Sequence, residues 1–142
     1  MSNNKNEEYL FHLLQDIYFD NIDTAKADEA SEAMHNDVRW VHNQVWEHDA
    51  HKSNIKDTFN GREEVREFLR KRVVEMQIEG IIHKVENVVS DGKLGAFKAN
   101  VIGTDKSKKP FFGLVEIKDD NIIYYRSLYR KYKECSSCLC SP

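Results

Sequence analysis

The sequence predicts an α+β domain in which three helices pack on one strongly curved antiparallel sheet, in the order α-α-β-α-β-β-β-β. Three observations carry this. Apolar residues recur at helical spacing near the start of the chain. DVRWVHN alternates large apolar and polar residues as a half-buried strand does, and NGREEVREFL then opens a helix. After Gly80 the pattern changes to period two and stays there.

The first helix is expected from Glu7 to Asn21, where Leu10, Leu13, Leu14, Ile17 and Tyr18 share a face. Asp23 is positioned to cap a second helix reaching Met34, whose inner face is mostly alanine (Ala27, Ala30, Ala33) and would allow close packing. The third runs from about Arg62 to about Met76. Asn60 or Gly61 caps it, Val65, Phe68, Leu69, Val73 and Met76 lie on one side, and its Arg and Glu residues lie on the other. Four strands then follow in IIHKVENVV, KLGAFKANVIG, FFGLVEI and NIIYYRSLY, separated by the turn segments SDG, TDKSKK and KDDN. A strand feeding a helix through a polar loop, inside this order, implies a curved sheet wrapped around a helix-lined pocket.

Composition narrows the function classes. The 142 residues are 40% hydrophobic, 32% charged and 11% aromatic, an ordinary globular balance. Net charge is −3 with both signs interspersed, and no basic stripe with interleaved aromatics appears, which argues against a nucleic-acid surface. No apolar run approaches the roughly 20 residues of a membrane helix, and MSNNKNEE is not a secretory signal, so a soluble cytoplasmic protein is expected. All three cysteines fall in ECSSCLCSP (Cys135, Cys138, Cys140). Three thiols fall short of the usual four-ligand zinc set, and the spacing does not fit a prenylation ending. The expected organisation is a flexible start at 1–6, the domain at 7–132 and a flexible tail at 133–142.

A period-two reading assigns faces. Val38, Trp40 and His42 form the more apolar face of the first strand and should point inward; Arg39, Val41 and Asn43 form the other. Phe97, Ala99 and Val101 share a face with Gly95, and Tyr125, Ser127 and Tyr129 share one on the last strand. The loop WEHDAH places Trp46, His48 and His51 close together. It reads either as a solvated loop, as a lid with Trp46 as an apolar plug, or as a donor of imidazole ligands, although no H-E-x-x-H helix is present.

The element order, the NDVRWVHN strand, the FNGREEV helix opening and the SDGKLGAF hairpin resemble the SnoaL-like branch of the nuclear transport factor 2-like superfamily over roughly residues 7–130. The resemblance implies a cone of bent sheet closed by helices, a fold that hosts enzymes, ligand binders and dimerisation modules alike. Aligned with ketosteroid isomerases, Tyr18 falls on the oxyanion-hole tyrosine, His42 on the general-base aspartate, and Gly113 on a protonated aspartic acid that shares the oxyanion hole. One position is kept, one holds another possible base, and one is lost. Ser127 in YRSLY stands where limonene epoxide hydrolases carry a catalytic aspartate, which argues against their chemistry.

Tyr18 and His42 are therefore the candidate catalytic pair. A pocket histidine titrates near neutrality and can take a proton from a carbon beside a carbonyl, while a tyrosine hydroxyl can donate to the enolate oxygen that develops. The candidate ligand-binding residues are Trp40, Trp46, Phe59, His83, Phe97, Gly113, Tyr125 and Ser127. The expected function is proton transfer by an isomerase, dehydratase or cyclase with no cofactor and no metal, acting on a small hydrophobic carbonyl compound. The alternative is a non-catalytic ligand-binding or dimerisation module of the same fold. No nucleic acid or membrane is expected as partner. A homodimer through the sheet is, because Phe112, Leu114, Ile123 and Leu128 fall on its outer face.

Overall fold

The computed structural model describes residues 4–43 and 56–128. One helical rod runs through α1 (Asn4–Phe11), a π-helical stretch (His12–Phe19) and α2 (Asp20–Asp23); α3 (Ala27–Ser31) follows. The chain then enters β1 (Met34–Asn43) and β2 (Lys56–Asn60), crosses in α4 (Arg62–Glu79), and ends in β3 (Ile82–Ser90), β4 (Leu94–Ile102), β5 (Lys108–Lys118) and β6 (Asn121–Leu128). The six strands form one sheet in the order β2-β1-β6-β5-β4-β3. The α+β class, the helices on one side and the curved sheet on the other are as the sequence predicts. Among the described residues no helix is long and apolar enough to cross a membrane.

Four details differ from expectation, each for a local reason. The sheet is mixed, because β1 pairs β6 in parallel while the other four ladders are antiparallel. First and last strands of the domain meet as neighbours, so no tight turn dictates their direction. β2 is an additional strand; KDTFN is short and lacks an apolar alternation, and it forms by pairing with β1 from Arg39↔Asn60 to Asn43↔Lys56. The second helix is only five residues long. Asp23 ends α2 instead of capping α3, and the chain turns through Ala25 at φ +62. By Ala33 the backbone already belongs to the sheet, since the Ile122 amide donates to its carbonyl at 2.9 Å.

The fourth difference lies in the first helix. Leu10, Leu13, Leu14, Tyr18, Phe19 and Ile22 are buried, as is Gln15, whereas Phe11 is exposed. A regular α-helix would put Phe11, Leu14 and Tyr18 on one face. The i→i+5 turn of the π stretch is wider, so the inward stripe drifts and Gln15 and Phe19 join it. α4 is held at its C-terminus by Gly80, whose φ of +70 suits the left-handed position that closes a helix. Its Arg66 and Arg70 fasten α3 through Ser31 and Asp28, the Arg70 pair at 2.9 and 3.2 Å.

The core fills the concave side of the sheet. Val38 and Trp40 from β1, Phe97, Ala99 and Val101 from β4, Phe111 and Val115 from β5, and Ile122 and Tyr125 from β6 are all buried against the helical rod and α4. The expected inward faces of β1 and β4 are those observed.

Candidate functional site

β3 is an edge strand, and its outward backbone groups would be unpaired without help. The helical rod supplies that help from two side chains. Gln15 donates to the His83 carbonyl at 3.0 Å and accepts from the Val85 amide at 2.7 Å. About two turns further on, the Asp23 carboxylate accepts the His83 amide at 2.7 Å. Its second oxygen lies 2.7 Å from His83 Nδ1. A carboxylate accepts and does not donate, so Nδ1 carries a proton, and in the neutral ring Nε2 is the nitrogen with the lone pair. The side chains of His83 and Asp23 are only 12% and 8% exposed. The imidazole also stacks on Phe19, with centroids 5.0 Å apart and planes 10° apart. Backbone, carboxylate and aromatic ring thus hold one histidine in one orientation.

A second polar group forms around Tyr18. The indole of Trp40 donates to its hydroxyl at 3.0 Å. The Tyr18 and Tyr125 hydroxyls are hydrogen-bonded to each other, and Ser127 bonds that of Tyr125. Burial pushes the Tyr18 phenol far above its ordinary range, while the bonds from Trp40 and Tyr125 pull it partly back. Burial also raises Tyr125, the neighbouring Tyr18 raises it further, and the Ser127 bond opposes both. Both phenols keep their protons at any ordinary pH. His42 lies flat against the Trp40 indole, with centroids 5.0 Å apart and planes 10° apart.

These groups line one interior cavity of about 40 Å³, walled by Tyr18, Phe19, Trp40, His42, Phe68, Leu69, Arg72, Met76, His83, Phe111 and Tyr125 among others. That is room for a few water molecules, against about 300–1,000 Å³ for a typical ligand pocket. Aromatic packing explains the small volume. Trp40 lies within 6.0 Å of Tyr125 and 5.4 Å of Phe68, and Phe97 within 6.0 Å of both Phe111 and Tyr125.

Of the residues singled out from sequence, Tyr18, His42, Trp40, His83 and Tyr125 come together on this cavity. Phe97, Gly113 and Ser127 are buried behind its wall. A Cβ on Gly113 would fall within 2.1 Å of the Phe97 ring, so this ring occupies the space an acid at that position would need. Phe59 lies on the outside, where it and Phe68 (4.9 Å apart) floor a separate groove rimmed by Glu63, Glu64 and Glu67. Trp46, His48, His51, Tyr129 and the three cysteines lie outside the described residues. Among the described residues no cluster of three or more His, Cys, Asp or Glu side chains is arranged to hold a metal.

Sequence reasoning missed Asp23, Gln15 and Arg72. Asp23 read as a helix cap and Gln15, inside the first helix, was not singled out; their partners lie 60 and 68 positions away. Arg72 was assigned with the other arginines to the outer side of α4. It is instead 5% exposed and part of the cavity wall, with Glu75 3.4 Å from Nη1. An arginine among Leu69, Val73 and Met76 on a helix otherwise read as amphipathic is a signal that a strict face count would have caught.

No family model and no curated protein sequence matches the chain. Solved structures do. A candidate ketosteroid isomerase from Kribbella flavida is 17% identical over 91% of this chain and 83% of that one, with a TM-score of 0.63. An LEH-like epoxide hydrolase from M. tuberculosis is 15% identical over 87% and 84%, with a TM-score of 0.60. A de novo designed protein with a curved β-sheet reaches the same TM-score of 0.60 at 18% identity, over 92% and 88%. That a designed protein matches as well as an enzyme shows that these likenesses concern the fold and not the chemistry. The chain has the curved-sheet fold of the nuclear transport factor 2-like superfamily.

Proposed function

We propose that the protein is a cofactor-independent enzyme that moves a proton on a small carbonyl compound, as an isomerase, dehydratase or cyclase does. The observation that carries the reading is the Asp23–His83 pair in the wall of a cavity that also holds Tyr18. His83 Nε2 takes a proton from the carbon beside the substrate carbonyl. Asp23 keeps the ring in the required tautomer and balances the imidazolium that forms. Tyr18, with Trp40 and Tyr125 bonded to its oxygen, donates its own proton as a hydrogen bond to the developing enolate oxygen. His42 is the other histidine on the cavity and returns a proton, either to another carbon or to a leaving oxygen. The Tyr18–His42 pair expected from sequence is thereby retained, with His83 and Asp23 added to it as the base. Deuterium uptake at the α-carbon of small ketones in D2O, followed by proton NMR, tests this reading. Uptake no faster than buffer across a panel of four- to six-carbon ketones and enones would end it.

Two observations favour a second reading, in which the same fold is a non-catalytic module. The Phe97 ring fills the space beside Gly113, and the cavity is small. A module of that kind would bind ketones without exchanging their protons, an outcome the same NMR experiment separates.

We further propose that two copies pair through the outer face of the sheet. Phe112 and Leu114 are 51% and 48% exposed there, beside half-buried Ile123 and Leu128. Light scattering should give twice the 16.6 kDa chain mass at micromolar concentration, and a Phe112→Glu/Leu114→Glu variant should return it to monomer. A wild-type protein that scatters as a monomer would refute the pairing.

A further inference from the structure

The cavity of about 40 Å³ has a larger neighbour. Phe59 and Phe68 floor the groove outside it, which measures about 450 Å³ and is rimmed by Glu63, Glu64, Glu67 and Lys71. Phe68 belongs to the walls of both, so at that point the partition between them is one side chain thick. Its place on α4 explains this. Phe68 follows Glu64 by one turn and sits next to buried Leu69, where the apolar face of the helix gives way to the charged one. Phe59 on β2 is the register partner of Trp40 on β1, and residues directly opposite in an antiparallel pair share a face of the sheet. Trp40 lines the cavity and lies 5.4 Å from Phe68 and 5.8 Å from Phe59. The aromatic surface therefore runs without a break from the cavity into the groove.

We propose that the groove is the outer half of the ligand site and that the ligand is a ketone with an apolar alkyl or aryl tail free of negative charge. Its carbonyl end enters the cavity, its tail lies on Phe59, and the half-buried Phe68 ring turns aside where the two meet. The proposal rests on the proton-transfer reading for which end goes inward; the seating of the tail is a separate matter of binding. Three features agree. The cavity alone is far below the usual 300–1,000 Å³ of a ligand pocket, and the groove brings the space into that range. The floor offers a tail two rings 4.9 Å apart, and no polar group stands between them and Trp40 in the aromatic run. At the rim carboxylates outnumber ammonium groups three to one, which disfavours an acid at the outer end. Glu63 and Glu67 are also paired with Arg66 and Arg70 at 2.7 and 2.9 Å, so this selection against acids is worth several-fold and no more.

The test is NMR-detected binding to the full-length chain of 2-butanone, 2-hexanone, 2-octanone and 4-phenyl-2-butanone, with 7-oxooctanoate measured against 7-oxooctanamide. Affinity should rise roughly two- to fourfold for each methylene from 2-butanone to 2-octanone, the upper figure being full burial. In the 2-octanone complex the ketone methyl should show contacts to the Tyr18 ring and the tail methyl to the Phe59 ring. The amide should bind several-fold more tightly than the acid, by a margin that shrinks with added salt and in Glu63→Gln/Glu67→Gln. Phe59→Ser should flatten the dependence on chain length. Affinities that do not rise with length, no binding of any ketone, or a preference for the acid overturns the proposal. So does a length dependence that survives in a folded Phe59→Ser protein. If Phe59→Ser does not fold, the contacts of the two methyls in the wild-type complex decide, and a tail methyl remote from Phe59 overturns the proposal. Deuterium uptake on the same ketones keeps the two ideas apart. Length-dependent binding without uptake supports the groove and ends the proton-transfer reading, while uptake with flat affinities does the reverse.

Discussion

Two histidines line the same cavity, and both lie flat on an aromatic ring at 5.0 Å and 10°, His83 on Phe19 and His42 on Trp40. They differ in what fixes them. His83 sits on the edge strand β3, where its amide and its ring are both bound by the Asp23 carboxylate at 2.7 Å and its carbonyl by Gln15. His42 sits one residue from the end of β1, half-buried, on a strand whose backbone is already paired with β2. The edge position matters. A central strand spends its backbone groups on its neighbours, whereas an edge strand must find partners elsewhere, and a carboxylate recruited for that purpose can orient a side chain as well. The proposed base therefore stands where the sheet stops.

The sharpest way to break the comparison is to exchange the ring that the carboxylate holds. His83→Gln should lower deuterium exchange by roughly 10²–10⁴-fold, the usual worth of a positioned general base. Asp23→Asn should act on the same scale by releasing the tautomer. His42→Gln should cost roughly tenfold, since water can replace a half-buried proton donor, and the loss should fall on one limb of the pH–rate profile. Equal losses for the two histidines would show that the difference in support has no chemical meaning.

Tyr18 is common to both halves of the site, and its effect should be nearly as large. Tyr18→Phe should lower turnover by roughly 10²–10³-fold in the presence of either histidine, as loss of one oxyanion donor does. A ratio near one would place the substrate oxygen elsewhere.

A third prediction concerns stability and needs no substrate. In the folded chain the Tyr18 and Tyr125 phenols are raised above their ordinary range, chiefly by burial. Above about pH 10 the unfolded chain loses these two protons while the folded chain keeps them. Stability is fully present below that pH and falls as pH rises through it, by at most about 1.4 kcal/mol per pH unit for each tyrosine. Denaturant unfolding from pH 9 to 11 should show the decline, and Tyr18→Phe should make it shallower. A flat profile would mean that the hydroxyls reach solvent.

The smallest expected effect is at Gly113. Gly113→Ala must displace the Phe97 ring, and overpacking of this kind costs typically about 1–3 kcal/mol. A neutral result would show that Phe97 yields readily, and with it that the cavity can enlarge toward Gly113.

The α+β class, the three helices, the later strands and the inward faces of β1 and β4 follow from local rules, because apolar period and turn residues act within a few positions of one another. Trp40 and His42 on one face, and Tyr18 on the buried side of the first helix, are of that kind. The rest depends on groups that meet only after folding. β2 has no pattern of its own and exists because β1 offers it an edge. β1 and β6 become parallel neighbours at opposite ends of the domain. Gln15 and Phe19 join the buried face of the first helix where the helix widens into a π turn. Asp23 meets His83 across 60 positions, and Arg72 enters the wall of a cavity that no single element encloses. Periodicity reports which way a side chain points from its own backbone, while a catalytic constellation is a distance between backbones, and only the packing of helix against sheet edge sets that distance.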